Sequence, residues 1–192
     1  MRIGEIYDLL KGLTLDVPKA FRQFAGPQSQ VTHFINALAQ RIAYCGAETL
    51  NQVEQGHWLA ASLFARANIE AVALLDRFAC DLDPRTPRKD ALQKITRYVF
   101  AAKAFDGGGV VHINDCLRPV FRDDPRLEQN YNLLCEAVHP NWLGVSKLGG
   151  EIDAKVEAHL RELMVECSRS CGVRTLRIVQ EHFEIVPVVE NR

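Results

Sequence analysis

The hydrophobic positions of the chain recur with the period of an α-helix over most of its length. Residues 28–54 carry seven apolar side chains on one stripe, and residues 57–79 resume the pattern after the Gln55-Gly56 break. These two segments predict an antiparallel helical hairpin. Two further helices are expected in the second half of the chain, one that begins with Asp124 as its cap and Pro125 in its first turn, and a longer one over about 152–183.

Prolines and glycines mark the ends of the shorter segments. Thr86-Pro87 predicts the start of a helix that the glycine run at 107–109 ends. A short helix from about His112 is expected to stop near Arg118-Pro119, because the residue before a proline is disfavoured in the helical conformation. The sequence EIVPVVE at 184–190 is short and broken by a proline, so it predicts only an extended tail.

Strand signals are nearly absent, which predicts an all-α fold, a mostly up-and-down helical bundle with a short extended C-terminal tail. With 192 residues, 47% of them hydrophobic, the chain can bury the core of a single domain over 1–192, with the bundle itself at about 28–183. The sequence shows neither a signal peptide nor 18 uninterrupted apolar residues, so we expect a cytoplasmic protein that does not bind a membrane. The net charge of -1 argues against a general polyanion binder, and the six cysteines are expected to be reduced.

The helix that begins at Pro125 ends in the sequence NLLCEAVHPNW, which sets a histidine and a tryptophan around a proline and an asparagine. The proline predicts that the helix ends at Val138 and that His139 leaves it in an extended conformation. A helix stop of this kind has no need of a ligand. However, the negative end of the helix dipole and Glu136, one turn back, both favour a charged imidazole, which can bind phosphate or transfer a proton.

Arg66 and Glu70 share one face of the apolar helix over 57–79, since they lie four positions apart. They form either an ordinary ion pair, at the surface or buried, or one part of a larger site. In the second interpretation they meet the end of the helix that begins at Pro125. Six polar residues would then converge in one pocket, namely Arg66, Glu70, Tyr131, Glu136, His139 and Asn141.

An arginine and a glutamate on an early core helix, followed much later by a helix ending YNLLCEAVHPNW, resemble a group of bacterial helical proteins. In that group the late helix ends in Tyr, then Ser or Cys with Glu, then His-Pro, and the group is similar to the HEPN-like helical bundles. The resemblance covers about residues 28–183 and implies an up-and-down bundle, often dimeric. Many such bundles are metal-independent ribonucleases, in which a histidine acts on the ribose 2′-hydroxyl and an arginine stabilises the phosphorane charge; others bind nucleotides or partner proteins without catalysis.

The chain departs from the ribonuclease pattern, which is an arginine, four to six residues, and then the histidine. The residues five to seven positions before His139 are Leu134, Leu133 and Asn132. The one match in the chain, Arg177 with His182, is expected by chance and lies near the end of the last helix. The sequence therefore favours a non-catalytic module that binds a ligand or a partner. The alternative is a metal-independent ribonuclease that uses His139 with Arg66.

Three pairs of cysteine or histidine residues lie four positions apart on predicted helices, a spacing that allows both members to reach one metal ion. The set that would hold zinc is His112, Cys116, Cys135 and His139. None of the pairs shows the Cys-x2-Cys or His-Glu-x2-His arrangement, and cysteines on apolar helix faces are usually small core residues. We therefore expect no metal and no cofactor. The resemblance leads us to expect a homodimer, with a nucleotide, an RNA or another protein as its partner.

Overall fold

The computed structural model describes residues 1–16, 28–81, 111–138 and 153–186. These residues form six helices and two short strands: α1 (Ile3–Gly12), β1 (Thr14–Asp16), α2 (Gln28–Glu54), α3 (Trp58–Asp81), α4 (Ile113–Asp123), α5 (Pro125–Val138), α6 (Ala154–His182) and β2 (Glu184–Val186). The prediction of a helical bundle is confirmed. The helix predicted to start at Thr86-Pro87 and its glycine stop at 107–109 lie outside the described residues.

The predicted hairpin of α2 and α3 forms the centre of the bundle. The chain reverses at Gly56, where φ is +73°, a left-handed conformation that glycine adopts without strain. Along the hairpin the ring centroids of Phe34 and Phe78 lie 5.1 Å apart. α3 also packs against α4, α5 and α6, so polar residues on α3 can meet side chains from three other helices.

α3 is also the one helix among the described residues that is long and apolar enough to cross a membrane. Its apolar side faces the core of the bundle, and it carries the charged residues Arg66, Glu70 and Asp76. A core helix of a helical bundle passes the same test of length and composition.

α1 inserts a tyrosine between three longer helices. The hydroxyl of Tyr7 donates a hydrogen bond to the backbone oxygen of Ser168 on α6 (2.5 Å) and accepts one from Asn68 Nδ2 on α3 (2.9 Å). The Tyr7 ring lies against Gly46 of α2, where any side chain would collide with it. These contacts attach α1 to the same core as the long helices, so the bundle includes residues that precede its predicted start at 28.

The short helix α4 is longer than predicted. The prediction that it stops near Arg118-Pro119 is wrong, because α4 continues to Asp123 with Pro119 inside it. A proline within a helix removes one backbone hydrogen bond and strains the preceding turn. Leu117 and Val120 are 2% and 0% exposed, and their burial against the bundle stabilises the helix on both sides of the proline.

The segment predicted as an extended tail is extended at 184–186, but it also pairs as β2 with β1 in an antiparallel register. Leu15 of β1 lies opposite Ile185. On the other side of β1, Asn36 of α2 accepts a hydrogen bond from the backbone nitrogen of Leu15 (2.8 Å) and donates one to its oxygen (2.7 Å). One asparagine thus replaces a second neighbouring strand, which is a contact that hydrophobic periodicity cannot indicate.

The junction of α4 and α5 is fixed on α6 by two polar contacts. Asp124 caps α5 as predicted, since its Oδ1 accepts a hydrogen bond from a backbone N–H in the first turn (3.0 Å), and its Oδ2 accepts another from Ser170 Oγ (2.7 Å). Arg174 Nη2 lies 2.6 Å from Asp76 Oδ2 of α3 and 3.1 Å from Asp123 Oδ2 of α4. These contacts hold the start of α5 against α6 and connect the end of α4 to α3 through Arg174.

Candidate functional site

Polar side chains of α3 and α5 meet at one point of the bundle. Arg66 Nε donates a hydrogen bond to Glu70 Oε1 at 2.9 Å, and the Tyr131 hydroxyl donates to the same oxygen at 2.9 Å. The Arg66 Cζ atom lies 5.9 Å from the centroid of the Tyr131 ring, within the range of a cation–π interaction. We call these three residues the Arg66 cluster.

The local sequence explains why the cluster forms at the edge of the core. Arg66 and Glu70 lie one turn apart on α3, beside the fully buried Ile69, and their side chains are 32% and 27% exposed. Tyr131 comes from α5, with its hydroxyl toward α3. The centroid of its ring lies 5.3 Å from that of the Phe121 ring on α4. The charged pair therefore lies at the boundary between the apolar core and the solvent, partly accessible to water.

The groups of the cluster hold each other in defined protonation states. Burial works against a charged Arg66, but the hydrogen bond to Glu70 and nearby negative charge outweigh it and raise the pKa of the guanidinium. Burial first, and then the hydrogen bond to Glu70, raise the pKa of the Tyr131 phenol well above its usual range. At neutral pH Tyr131 is therefore an uncharged hydrogen-bond donor, and Arg66 is a cation.

The outer edge of the Arg66 guanidinium is not used by the other described residues. Its Nε–H binds Glu70, whereas its Nη nitrogens make no hydrogen bond within the described part of the chain. A guanidinium edge suits the oxygens of a carboxylate or a phosphate. The guanidinium lies over the ring of Tyr131, one turn before Cys135 on α5.

Three of the six residues predicted to share a pocket are in contact in the structure. Arg66, Glu70 and Tyr131 are in direct contact. Glu136 lies on the exposed side of α5. His139 and Asn141 directly follow the last described residue of α5 and lie outside the described residues, so their approach to the Arg66 cluster stays a prediction.

The residues considered as zinc ligands do not meet in the described part of the chain, where no three Cys, His, Asp or Glu side chains are grouped to hold a metal ion. Cys116 is 1% exposed, and burial raises the pKa of its thiol to about 11, which disfavours the thiolate that a metal requires. Cys135 is half-buried, His112 is exposed, and His139 lies outside the described residues. All six cysteines are free thiols.

A groove of about 540 Å³ lies between α4 and α5, beside the Arg66 cluster, and the sequence did not predict it. Tyr131 belongs both to the wall of this groove and to the cluster. Arg118 and Arg122 also line the groove, one turn apart on α4. Their spacing is that of one helix face, but the predicted stop at Pro119 assigned the two arginines to different segments.

Comparison of the chain with protein-family models, with curated proteins and with solved structures finds no match. The fold and the geometry of the Arg66 cluster are therefore the observations from which function can be inferred, together with the residues around His139.

Proposed function

We propose that the protein is a non-catalytic, HEPN-like helical module that binds a ligand or a partner protein at the Arg66 cluster and the residues that follow α5. The observation that supports this most is the sharing of Glu70 Oε1 by Arg66 and Tyr131. One carboxylate holds a guanidinium and a phenol between two helices, and the outer guanidinium edge makes no hydrogen bond to any other residue that the structure describes. Donors that are fixed in advance in this way bind an anionic group with little loss of side-chain entropy.

The protonation states suit binding better than proton transfer. Tyr131 retains its proton because its pKa is raised, and Glu70 is already engaged by two donors, so neither residue suits the role of general base. Catalysis would have to rely on His139, and the sequence has no arginine at the ribonuclease spacing before that histidine.

A metal-independent ribonuclease that uses His139 with Arg66 is the second candidate. It is favoured by the position of Arg66 over the ring of Tyr131 on α5, because His139 directly follows the last residue of that helix in the sequence. In that reaction His139 would take the proton of the ribose 2′-hydroxyl, and Arg66 would stabilise the phosphorane charge.

Incubation of single-stranded RNA with the protein in a metal chelator distinguishes the two candidates. The binding module leaves the RNA intact. The ribonuclease would cleave it, and would lose this activity in Arg66→Ala and His139→Ala but keep it in Arg177→Ala and His182→Ala. Cleavage that depends on His139 would overturn the non-catalytic proposal, and cleavage that depends only on Arg177 or His182 would contradict both candidates.

Thermal shifts test the binding role directly, because a ligand that binds the folded state raises Tm. Inorganic phosphate, small carboxylates, nucleotides and short RNAs serve as probes. We expect the shift caused by a binding probe to disappear in Arg66→Ala and His139→Ala and to persist in Arg177→Ala, whose side chain is 74% exposed near the end of α6. His139→Ala by itself should cost about 1 kcal/mol of stability or less. A shift that survives both substitutions would overturn the proposal.

A further inference from the structure

The groove between α4 and α5 combines an apolar wall with a cationic rim. Leu117 and Phe121 of α4 and Tyr131 of α5 contribute the apolar side, and Arg118 and Arg122 contribute the charge. Its volume of about 540 Å³ is several times that of a bare phosphate or carboxylate group and falls within the usual range of small-molecule sites. The groove therefore has room for an anionic group together with an apolar body.

The two arginines on the rim are weakly paired. Arg118 Nη2 lies 3.5 Å from Asp115 Oδ1, and Arg122 Nε lies 3.6 Å from Asp123 Oδ1, whereas a charge-assisted hydrogen bond measures about 2.7–2.9 Å. Asp123 is held more closely by Arg174, and this hydrogen bond is the main reason that the pKa of its carboxyl is lowered. Both rim arginines are 80% exposed, so their guanidinium groups can turn toward a ligand.

The spacing of the arginines suits a single anion. Arg118 and Arg122 lie one turn apart on the same face of α4, and two guanidinium groups at this spacing can bind oxygens of one phosphate or carboxylate. Glu128 also lines the groove, from α5. Its negative charge disfavours a ligand with a second anionic group, because like charges repel at short range.

The apolar wall suits a flat ring. The rings of Phe121 and Tyr131 lie 5.3 Å apart at an interplanar angle of 49°, and Phe121 is half-buried, so part of its surface is open to the groove. Aromatic side chains in this arrangement bind a further ring by stacking or by an edge contact. Tyr131 is itself fixed by Glu70, which keeps this wall in place.

We infer that the groove between α4 and α5 binds a small compound that has one flat aromatic body and one phosphate or carboxylate group. The anionic group meets Arg118 and Arg122, and the ring packs against Phe121. This inference rests on the proposed binding role and deepens it, since Tyr131 connects the groove to the Arg66 cluster and the inference names the class of ligand.

Calorimetric titration with phenyl phosphate, benzoate, inorganic phosphate and phenol tests the inference. We expect phenyl phosphate to bind about tenfold or more tightly than either inorganic phosphate or phenol, because only phenyl phosphate uses both the ring and the charge. Benzoate distinguishes a carboxylate from a phosphate as the preferred anion. Arg118→Ala/Arg122→Ala should weaken binding of phenyl phosphate about tenfold or more, and Phe121→Ala should remove its advantage over inorganic phosphate.

The matched control is Arg126→Ala/Arg169→Ala, which removes the same charge from exposed positions of α5 and α6 outside the groove. Absence of phenyl phosphate and benzoate binding up to millimolar concentrations would overturn the inference, as would an equal loss in the control. If binding depends on Arg66 and His139 but not on Arg118 and Arg122, the groove is not the site, and the proposed function stands without it. If binding depends on the groove residues alone, the inference stands and the role proposed for the Arg66 cluster does not.

Discussion

Gly46 of α2 lies against the ring of Tyr7, and a Cβ atom at this position would collide with the ring. Gly46→Ala should therefore destabilise the protein by about 1–3 kcal/mol, the usual effect of overpacking a core. Gly4→Ala on α1 is the control, because a Cβ atom there meets nothing within 4 Å and alanine favours a helix. Urea unfolding measures both variants, and equal midpoints for them would contradict the packing of α1 on α2.

Tyr7 and Tyr131 make the stability of the fold sensitive to alkaline pH. Burial raises the pKa of both phenols above the ordinary value of 10.0. The unfolded chain releases these protons near pH 10 while the folded chain retains them, so stability that is complete below pH 10 falls as the pH rises further. In an alkaline titration followed by tyrosinate absorbance, these two phenols should ionise only when the protein unfolds. Tyr7→Phe and Tyr131→Phe should each remove one phenol from the absorbance change that accompanies unfolding. Ionisation of either phenol in the folded protein would contradict this.

The contacts of Glu70 show how far residue spacing can predict a site. Arg66 and Glu70 are one turn apart, so their ion pair follows from the geometry of a single helix. The hydrogen bond from Tyr131 to Glu70 joins residues 61 positions apart. Helical spacing does not indicate which helices cross or at which turn, so the sequence could suggest this meeting only as one of two interpretations.

Asp124 connects the start of α5 to α6. Asp124→Ala should destabilise the protein by about 1–2 kcal/mol, because it removes both the cap of α5 and the acceptor of the Ser170 hydroxyl. Ser170→Ala should have a smaller effect, and the double variant should be less destabilised than the sum of the two. Asp115→Ala, on the exposed side of α4, is the control. Strict additivity in urea unfolding would contradict the link between α5 and α6.

The elements themselves differ in how well periodicity indicates them. The bounds of α3 and α6 agree with the predicted ranges to within two residues. An apolar stripe that continues over many turns distinguishes the period of a helix clearly from that of a strand. The end of α4 was predicted too early, because the effect of proline was judged from the backbone alone. The burial of Leu117 and Val120, which stabilises the helix beyond Pro119, depends on tertiary packing. β1 has three residues, too few for an alternating pattern to appear.

We expect two copies of the protein to associate through the outer face of the α2–α3 hairpin. Tyr44, Leu59 and Leu63 are 56%, 45% and 51% exposed there, and a second copy would remove these large apolar side chains from water. Sedimentation at tens of micromolar should give twice the chain mass of 21.6 kDa, and Leu59→Glu/Leu63→Glu should give the single chain. A wild-type monomer at these concentrations would contradict the expectation.

If the Arg66 cluster and His139 belong to one site, the imidazole NMR signal of His139 must respond to changes in the cluster. The signal is assigned as the one that is missing in His139→Ala. We predict that Arg66→Ala and Glu70→Gln each shift this signal and change its titration with pH, because in a shared site each substitution would alter a charge beside the ring. The control is Glu181→Gln, which alters a more exposed pair of the same spacing and the same length with Arg177 (2.9 Å) and should leave the signal in place. A His139 signal that is identical in the wild type, Arg66→Ala and Glu70→Gln at every pH would show that His139 and the Arg66 cluster do not form one site.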